Sequence, residues 1–281
     1  MAKECSNTSC DKSSCEGCPS RSKQGEETDF RVPVNALSKI GHVIGVVSGK
    51  GGVGKSLVTA SLANRMAAKG FKVGILDADI TGPSIPRMYG LEGAAMASED
   101  GIIPMETANG IKVISINLLL PTQDTPVVWR GPILANMVKQ FWSDVIWSEL
   151  DYLFVDMPPG TGDVPLTVFQ SLPVDGVVIV TSPQDLVRMI VKKAYNMAQM
   201  MNIPVLGLVE NYSYLRCPDC GKVISIFGES HIDDVSAELG VPVIGRIPVD
   251  PDLAACVDAG DFASWVPDYI DQADAVIPVK N

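Results

Sequence analysis

The sequence predicts an α/β fold built on a doubly wound, mostly parallel sheet. Three observations carry that reading. Short β-branched apolar runs recur along the chain, and helical patterns separate them. Several of the runs end in a polar or glycine-rich turn. Strand and helix alternating this way give a sheet covered on both faces, and such sheets bind ligands at the carboxyl ends of their strands.

The elements run in order along the chain. "HVIGVVS" (42–48) reads as a buried strand, and a glycine-rich turn comes next. "SLVTASLANRMAAK" (56–69) places Ala60, Ala63 and Ala67 at helical spacing, with Gly70 as a stop. "KVGILDAD" (72–79) is a second strand. Residues 94–112 are glycine-rich and polar and predict an insertion or irregular β structure. Helical patterns cover 133–146 and 185–201. "YLFVDMPPG" (152–160), "GVVIVTSP" (176–183), "VLGLVEN" (205–211) and "VIGRIP" (243–248) are further strands. Residues 1–30 are polar and cysteine-rich, which predicts a flexible tail. Residues 31–281 are then the folded domain.

Composition narrows the function classes. The chain has 281 residues, 46% of them hydrophobic, enough for a sizeable core. Its net charge is −11, and from Glu229 onward eleven acidic residues face only Arg246 and Lys280. Such a surface repels phosphate backbones and anionic lipid, so neither nucleic acid nor membrane is an expected partner. No stretch approaches the roughly 18 unbroken apolar residues of a membrane helix. The N-terminus lacks the apolar core of a secretory signal, so a cytoplasmic location is expected. With two histidines, His42 and His231, a histidine-based zinc site or a Ser-His-Asp triad is poorly supported.

Gly49-Lys50-Gly51-Gly52-Val53-Gly54-Lys55-Ser56 satisfies the G-x-x-x-x-G-K-[ST] pattern between a strand and a helix. Glycines let backbone N–H groups wrap phosphate oxygens, and the helix N-terminus adds about half a positive charge. Lys55 would reach the β and γ phosphates of ATP, and the Ser56 hydroxyl would bind Mg²⁺. Asp156 ends an apolar strand, where a carboxylate can hold the Mg²⁺ through water. Asp77 and Asp79 end the second strand. Asp79 is the candidate to position the attacking water, although a turn or N-cap role is the plainer reading.

"KGGVGKS" together with "LDAD" resembles the deviant phosphate-loop class that includes MinD, ParA and the nitrogenase iron proteins. The resemblance implies an ATPase of that fold. It also implies that Lys50 reaches across a face-to-face dimer to the partner's nucleotide. A cation supplied that way acts as arginine fingers do, which are worth on the order of 10³–10⁵ in rate. In this class an asparagine at the end of a late strand reads the adenine, and Asn211 matches it. The "IPVDPDL" turn (247–253) is expected near the base as well.

Seven cysteines fall into three sets. Cys217 and Cys220 lie in "SYLRCPDCGKVISIFG" (213–228), which has the shape of a metal knuckle. One pair supplies two thiolates, whereas a tetrahedral or cubane site needs four ligands. Either the N-terminal cysteines fold back, or a two-fold axis brings in the same pair from a second subunit. The second route fits the implied dimer. Cys5, Cys10, Cys15 and Cys18 are spaced to close around a separate cluster or metal. A redox-labile tail is the alternative. Cys256, within "DLAACVDAG", reads as a core residue.

The phosphate loop, "DADITGPSIPRM" (77–88), "VDMPPGTGD" (155–163), "VENYSY" (209–214) and "CPDCG" occur in that order. Together they resemble the Mrp/ApbC family of iron–sulfur cluster carriers over about residues 35–265. The resemblance implies a homodimeric ATPase that holds a [4Fe–4S] cluster on Cys217 and Cys220 and passes it to apo-proteins, with cluster scaffolds as further partners. Structural zinc on the same thiols stays open. So does a nucleotide-switched positioning role like that of MinD or ParA. The acidic, proline-punctuated C-terminus lacks the basic amphipathic helix that such a role uses at a membrane.

Overall fold

The first half of the chain forms β1 (Lys39–Ser48), α1 (Lys55–Ala68), β2 (Val73–Asp77), α2 (Ile85–Met88), β3 (Met96–Ser98), β4 (Gly101–Ile103), β5 (Met105–Glu106) and β6 (Lys112–Ile114). The second half forms α3 (Gly131–Ser143), β7 (Glu149–Asp156), α4 (Asp163–Ser171), β8 (Gly176–Thr181), α5 (Val187–Met200), β9 (Val205–Arg216), β10 (Val223–Ile224), α6 (Ile232–Leu239), β11 (Val243–Val249) and α7 (Pro251–Ala259). This is a computed structural model, and it describes residues 30–80, 82, 84–120, 131–183, 187–266 and 268–278. Cys5, Cys10, Cys15 and Cys18 lie outside the described residues, as does the expected tail apart from Phe30.

The main sheet runs β10-β9-β8-β1-β7-β2-β6-β5, with β11 also pairing β9. The pairs β1/β7, β1/β8, β2/β7, β2/β6, β8/β9 and β9/β11 are parallel, and only β9/β10 and β5/β6 are antiparallel. The sheet is therefore mostly parallel, as the alternating pattern predicts. Its central strands read as continuous apolar runs because successive residues feed two cores. On β8, Val177 and Ile179 join a cluster with Phe141, Trp142 and Trp147. Val178 and Val180 join a second cluster with Leu62, Met66 and Phe154 on the α1 side. Among the described residues no helix is long and apolar enough to cross a membrane.

The 94–112 stretch is β structure, as expected: a separate β3/β4 ribbon, then β5, which with β6 extends the main sheet beside β2. Two details depart from the sequence reading. The helical pattern over 133–146 ends at Ser143, three residues early, and a turn then buries Val145 and Trp147. Cys256 is half-buried rather than in the core; its thiol faces the Asp261 carbonyl at 3.3 Å at the end of α7.

The C-terminal segment is tied to α1. Asn64 Nδ2 donates to the carbonyls of Phe262 and Trp265 at 2.6 and 2.7 Å. The Arg65 guanidinium grips Asp274 through two bonds of 2.8 and 2.5 Å, and Lys69 adds a contact of 2.5 Å. These bonds fix the helix after the phosphate loop against the last part of the fold.

Candidate functional site

The parallel register sets the site. Asp77 on β2 and Asp156 on β7 are direct partners, and Ser48 ends β1, the strand on the other side of β7. The phosphate loop leaves β1 and enters α1 through Gly54, whose φ is 78°. That left-handed conformation favours glycine, and a Cβ there would sit 2.0 Å from Asn211 Nδ2. The first turn of α1 carries no acidic residue and no side-chain cap. Its N–H groups therefore stay available to an anion.

Three polar groups meet at Asp156, which is fully buried. Lys55 Nζ lies 2.7 Å from its Oδ1, Thr59 Oγ1 donates to the same oxygen at 2.9 Å, and Ser56 Oγ donates to Oδ2 at 2.5 Å. Asp79 Oδ2 is 3.4 Å from the same ammonium. Burial alone pulls the Lys55 pKa down, but the carboxylates of Asp156 and Asp79 outweigh it and hold the amine charged. The sequence reading misses Thr59, although it lies one helical turn beyond Lys55 on the same face.

The two aspartates after β2 have different surroundings. Asp77 is buried, accepts a bond from Ser115 Oγ at 2.9 Å and another from its neighbour Asp79 N at 3.1 Å. Burial, then repulsion from Asp156, pushes its carboxyl well above the usual range. Asp79 instead lines the cleft beside the loop. That cleft holds about 510 Å³, a fit for a nucleotide-sized ligand. Gly51, Gly52, Lys55 and Ser56 form its phosphate end; Pro248, Asp250 and Leu253 of the β11–α7 turn form the other. Asp250 caps α7 by accepting from the N–H groups of Asp252 and Leu253. Ser48 Oγ fixes the carbonyl of Lys50 at 2.9 Å.

Asn211 also lines the cleft, but its amide is engaged. Nδ2 donates to the Val53 carbonyl in the phosphate loop at 3.0 Å, and Oδ1 accepts from Tyr212 N at 2.9 Å. The side chain therefore fastens β9 to the loop.

Cys217 and Cys220 form the tip of the β9/β10 hairpin. Arg216 pairs Val223, Cys217 N donates to Lys222 O at 2.9 Å, and Gly221 N returns to Cys217 O at 2.9 Å. This turn aims the backbone N–H groups of Cys220 and Asp219 at the Cys217 sulfur, which lowers its thiol pKa. The donor chemistry suits a thiophilic metal or cluster. Among the described residues no group of three or more His, Cys, Asp and Glu side chains could hold a metal ion. The return arm leaves Val223, Ile224, Ile226 and Phe227 exposed beside the thiols.

Comparison with known proteins shows what the chain is similar to. An iron–sulfur cluster carrier protein from Methanocaldococcus jannaschii is 49% identical over 86% of this chain and 84% of its own length. A nucleotide-binding protein from Archaeoglobus fulgidus, solved in complex with ADP and with cobalt found in it, is 44% identical; the match covers 86% of this chain and 94% of that one, with a TM-score of 0.76. The cell division protein MinD of Aquifex aeolicus shares the fold, with a TM-score of 0.56 at 21% identity over 85% of this chain and all of its own. The model of the ParA family, described as NUBPL iron-transfer P-loop NTPase, matches residues 39–276, and this chain belongs to that family.

Proposed function

We propose that this chain is an ATP-hydrolysing iron–sulfur cluster carrier that acts as a homodimer. Its cargo is a [4Fe–4S] cluster held by Cys217 and Cys220 of each subunit and passed to apo-proteins. The observation that carries the reading is the hairpin tip. It presents two thiols on one turn, with backbone N–H groups directed at sulfur, and only half of the four ligands a cluster needs. The exposed apolar residues beside the thiols support a second copy as the source of the other half. The names of the relatives support the cargo.

The nucleotide end has a consistent division of labour. Backbone N–H groups from Gly49 to Gly54 and the start of α1 hold phosphate oxygens. Lys55 exchanges Asp156 and Asp79 for the β and γ phosphates. Ser56 and Asp156 would hold Mg²⁺, which supplies charge neutralisation at the phosphates. Asp79, released from Lys55, orients the attacking water. Lys50 acts on the partner's nucleotide, and Asn211 positions the loop beneath the base. The cargo and the dimer are thereby coupled to the ATP state. The tail cysteines Cys5, Cys10, Cys15 and Cys18 form a second candidate metal site ahead of the 31–281 domain. With net charge −11, neither nucleic acid nor a membrane is a partner in this reading; a cytoplasmic location goes with it, as for the cytosolic Fe–S cluster assembly factor of Saccharomyces cerevisiae, 40% identical.

Anaerobic purification and then a visible spectrum, with iron, sulfide and zinc counts per chain, test the proposal. A brown protein whose iron and sulfide are lost in Cys217→Ala, with nucleotide binding intact, supports it. Full iron in Cys217→Ala sinks the site assignment, and zinc at one ion per two chains replaces the cargo with a structural metal.

A further inference from the structure

Glu210 is a fully buried carboxylate on the apolar strand β9. Such a group is costly unless its oxygens are hydrogen-bonded. Here both are. Ser213 Oγ donates to Oε2 at 2.6 Å, and Ser230 Oγ donates to Oε1 at 2.6 Å. The two serines stand on opposite legs of the cysteine hairpin. Ser213 precedes Cys217 on the outgoing strand, and Ser230 lies between β10 and α6. One carboxylate thus closes the base of the hairpin whose tip carries both thiols.

The adjoining residue is fastened to the nucleotide loop, through Asn211 Nδ2 and the Val53 carbonyl. Between these two attachments β9 is irregular. Tyr212 adopts a left-handed φ of 57°, uncommon for a bulky side chain. Ile247 of β11 pairs Asn211 while Val249 pairs Leu215, so β9 spends four residues where β11 spends two. Bulges of this kind bend a strand and re-aim the chain beyond them. Glu210 stands just before the irregular stretch and joins Ser213 within it to Ser230 on the returning leg, yet lines neither the cleft nor the thiol turn.

We propose that Glu210 is a positioning residue that transmits the state of the phosphate loop to the cysteine hairpin; its purpose rests on the cluster-carrier reading above. A shift of the Val53 carbonyl on nucleotide binding moves Asn211. The bulge turns that shift into a change of direction in the outgoing leg. Glu210 makes the returning leg move with it, because Ser213 and Ser230 share its carboxylate. Without the clasp the two legs move independently, and the bulge absorbs the displacement.

The test uses the full-length, reduced, metal-free protein. A bulky maleimide labels it with and without a non-hydrolysable ATP analogue and Mg²⁺, and peptide mass spectrometry resolves labelling at Cys217 and Cys220. In the wild type the nucleotide should change the labelling rate by about fivefold or more, the lower end of usual site-to-site coupling. Glu210→Gln and Ser230→Ala should bind the nucleotide yet show a rate ratio near one. A purely structural clasp would lower thermal stability and leave the ratio unchanged. Ser230 is exposed, so its variant should fold even if Glu210→Gln does not. A nucleotide effect that survives in Ser230→Ala overturns the proposal, as does a wild type whose thiols ignore the nucleotide. Because the assay contains no cluster, its result is separate from the iron and sulfide counts that test the carrier reading.

Discussion

Lys55 Nζ sits 2.7 Å from Asp156 Oδ1, so the lysine that would meet phosphate is paired inside the protein's own carboxylate cluster. Removing one partner of a buried pair costs about 3–5 kcal/mol, because the other charge is left behind. Lys55→Ala should therefore lose nucleotide binding and also lose stability, by about 3 kcal/mol, the low end of that range, since Ser56 and Thr59 still donate to Asp156. Urea unfolding at pH 7 measures it. A variant as stable as the wild type would mean the pair contributes nothing to the fold.

Lys50 and Asp79 can be assigned to different subunits' sites by mixing. Lys50→Ala should lower hydrolysis on the order of 10³-fold or more, as loss of a charge-neutralising finger does. Asp79→Asn should lower it by about 10²–10⁴, the usual range for a positioned proton acceptor. Mixed together, the two variants should regain activity, because the Asp79→Asn subunit still lends Lys50 to a partner with an intact Asp79. A mixture as inactive as either variant alone would place Lys50 in its own subunit's site.

The exposed return arm of the hairpin gives a third test. Ile226→Ser with Phe227→Ser should leave nucleotide affinity unchanged and weaken the cluster-loaded dimer, as read by sedimentation at several protein concentrations. Equal dimer stability in the double variant would show that another face joins the subunits.

Gly54→Ala should fail to bind nucleotide. Its Cβ would collide with Asn211 Nδ2 at 2.0 Å and would have to adopt a φ of 78°. Isothermal titration detects the loss, while circular dichroism checks that the sheet persists.

Asp274 offers a pH test away from the cleft. Its bonds to Arg65, then its contact with Lys69, pull its pKa from 3.8 to about 2. A depressed carboxylate pKa adds stability that is present above the unfolded value of 3.8 and is lost as pH falls through about 2. Asp274→Asn should be less stable than the wild type at pH 7, by about 1 kcal/mol or less given its partial exposure. The difference should shrink between pH 4 and pH 2. A constant difference across that window would exclude the charge as its origin.

Much of the site is legible in the sequence because its parts are local. The loop from Gly49 to Ser56 is contiguous, and Asp156 announces itself as a lone charge ending an apolar strand. Cys217 and Cys220 sit within one turn. The illegible parts depend on long-range pairing. Lys112–Ile114 becomes a strand only because β2 offers it a parallel edge. Asp77 and Asp79 look alike in "LDAD", and Ser115, 38 residues on, is the group that engages the first. Glu210 reads as a strand-end charge until Ser230, 20 residues away, is seen at its carboxylate.

One strand joins the two working ends, since β9 carries Asn211 at the cleft and leads directly into Cys217. Five residues lie between them, at most about 20 Å if fully extended and less here because of the bulge. Adding or deleting a single residue in that interval would turn the later side chains to the opposite face. Over evolutionary time this interval should accept changes of amino acid far more readily than changes of length.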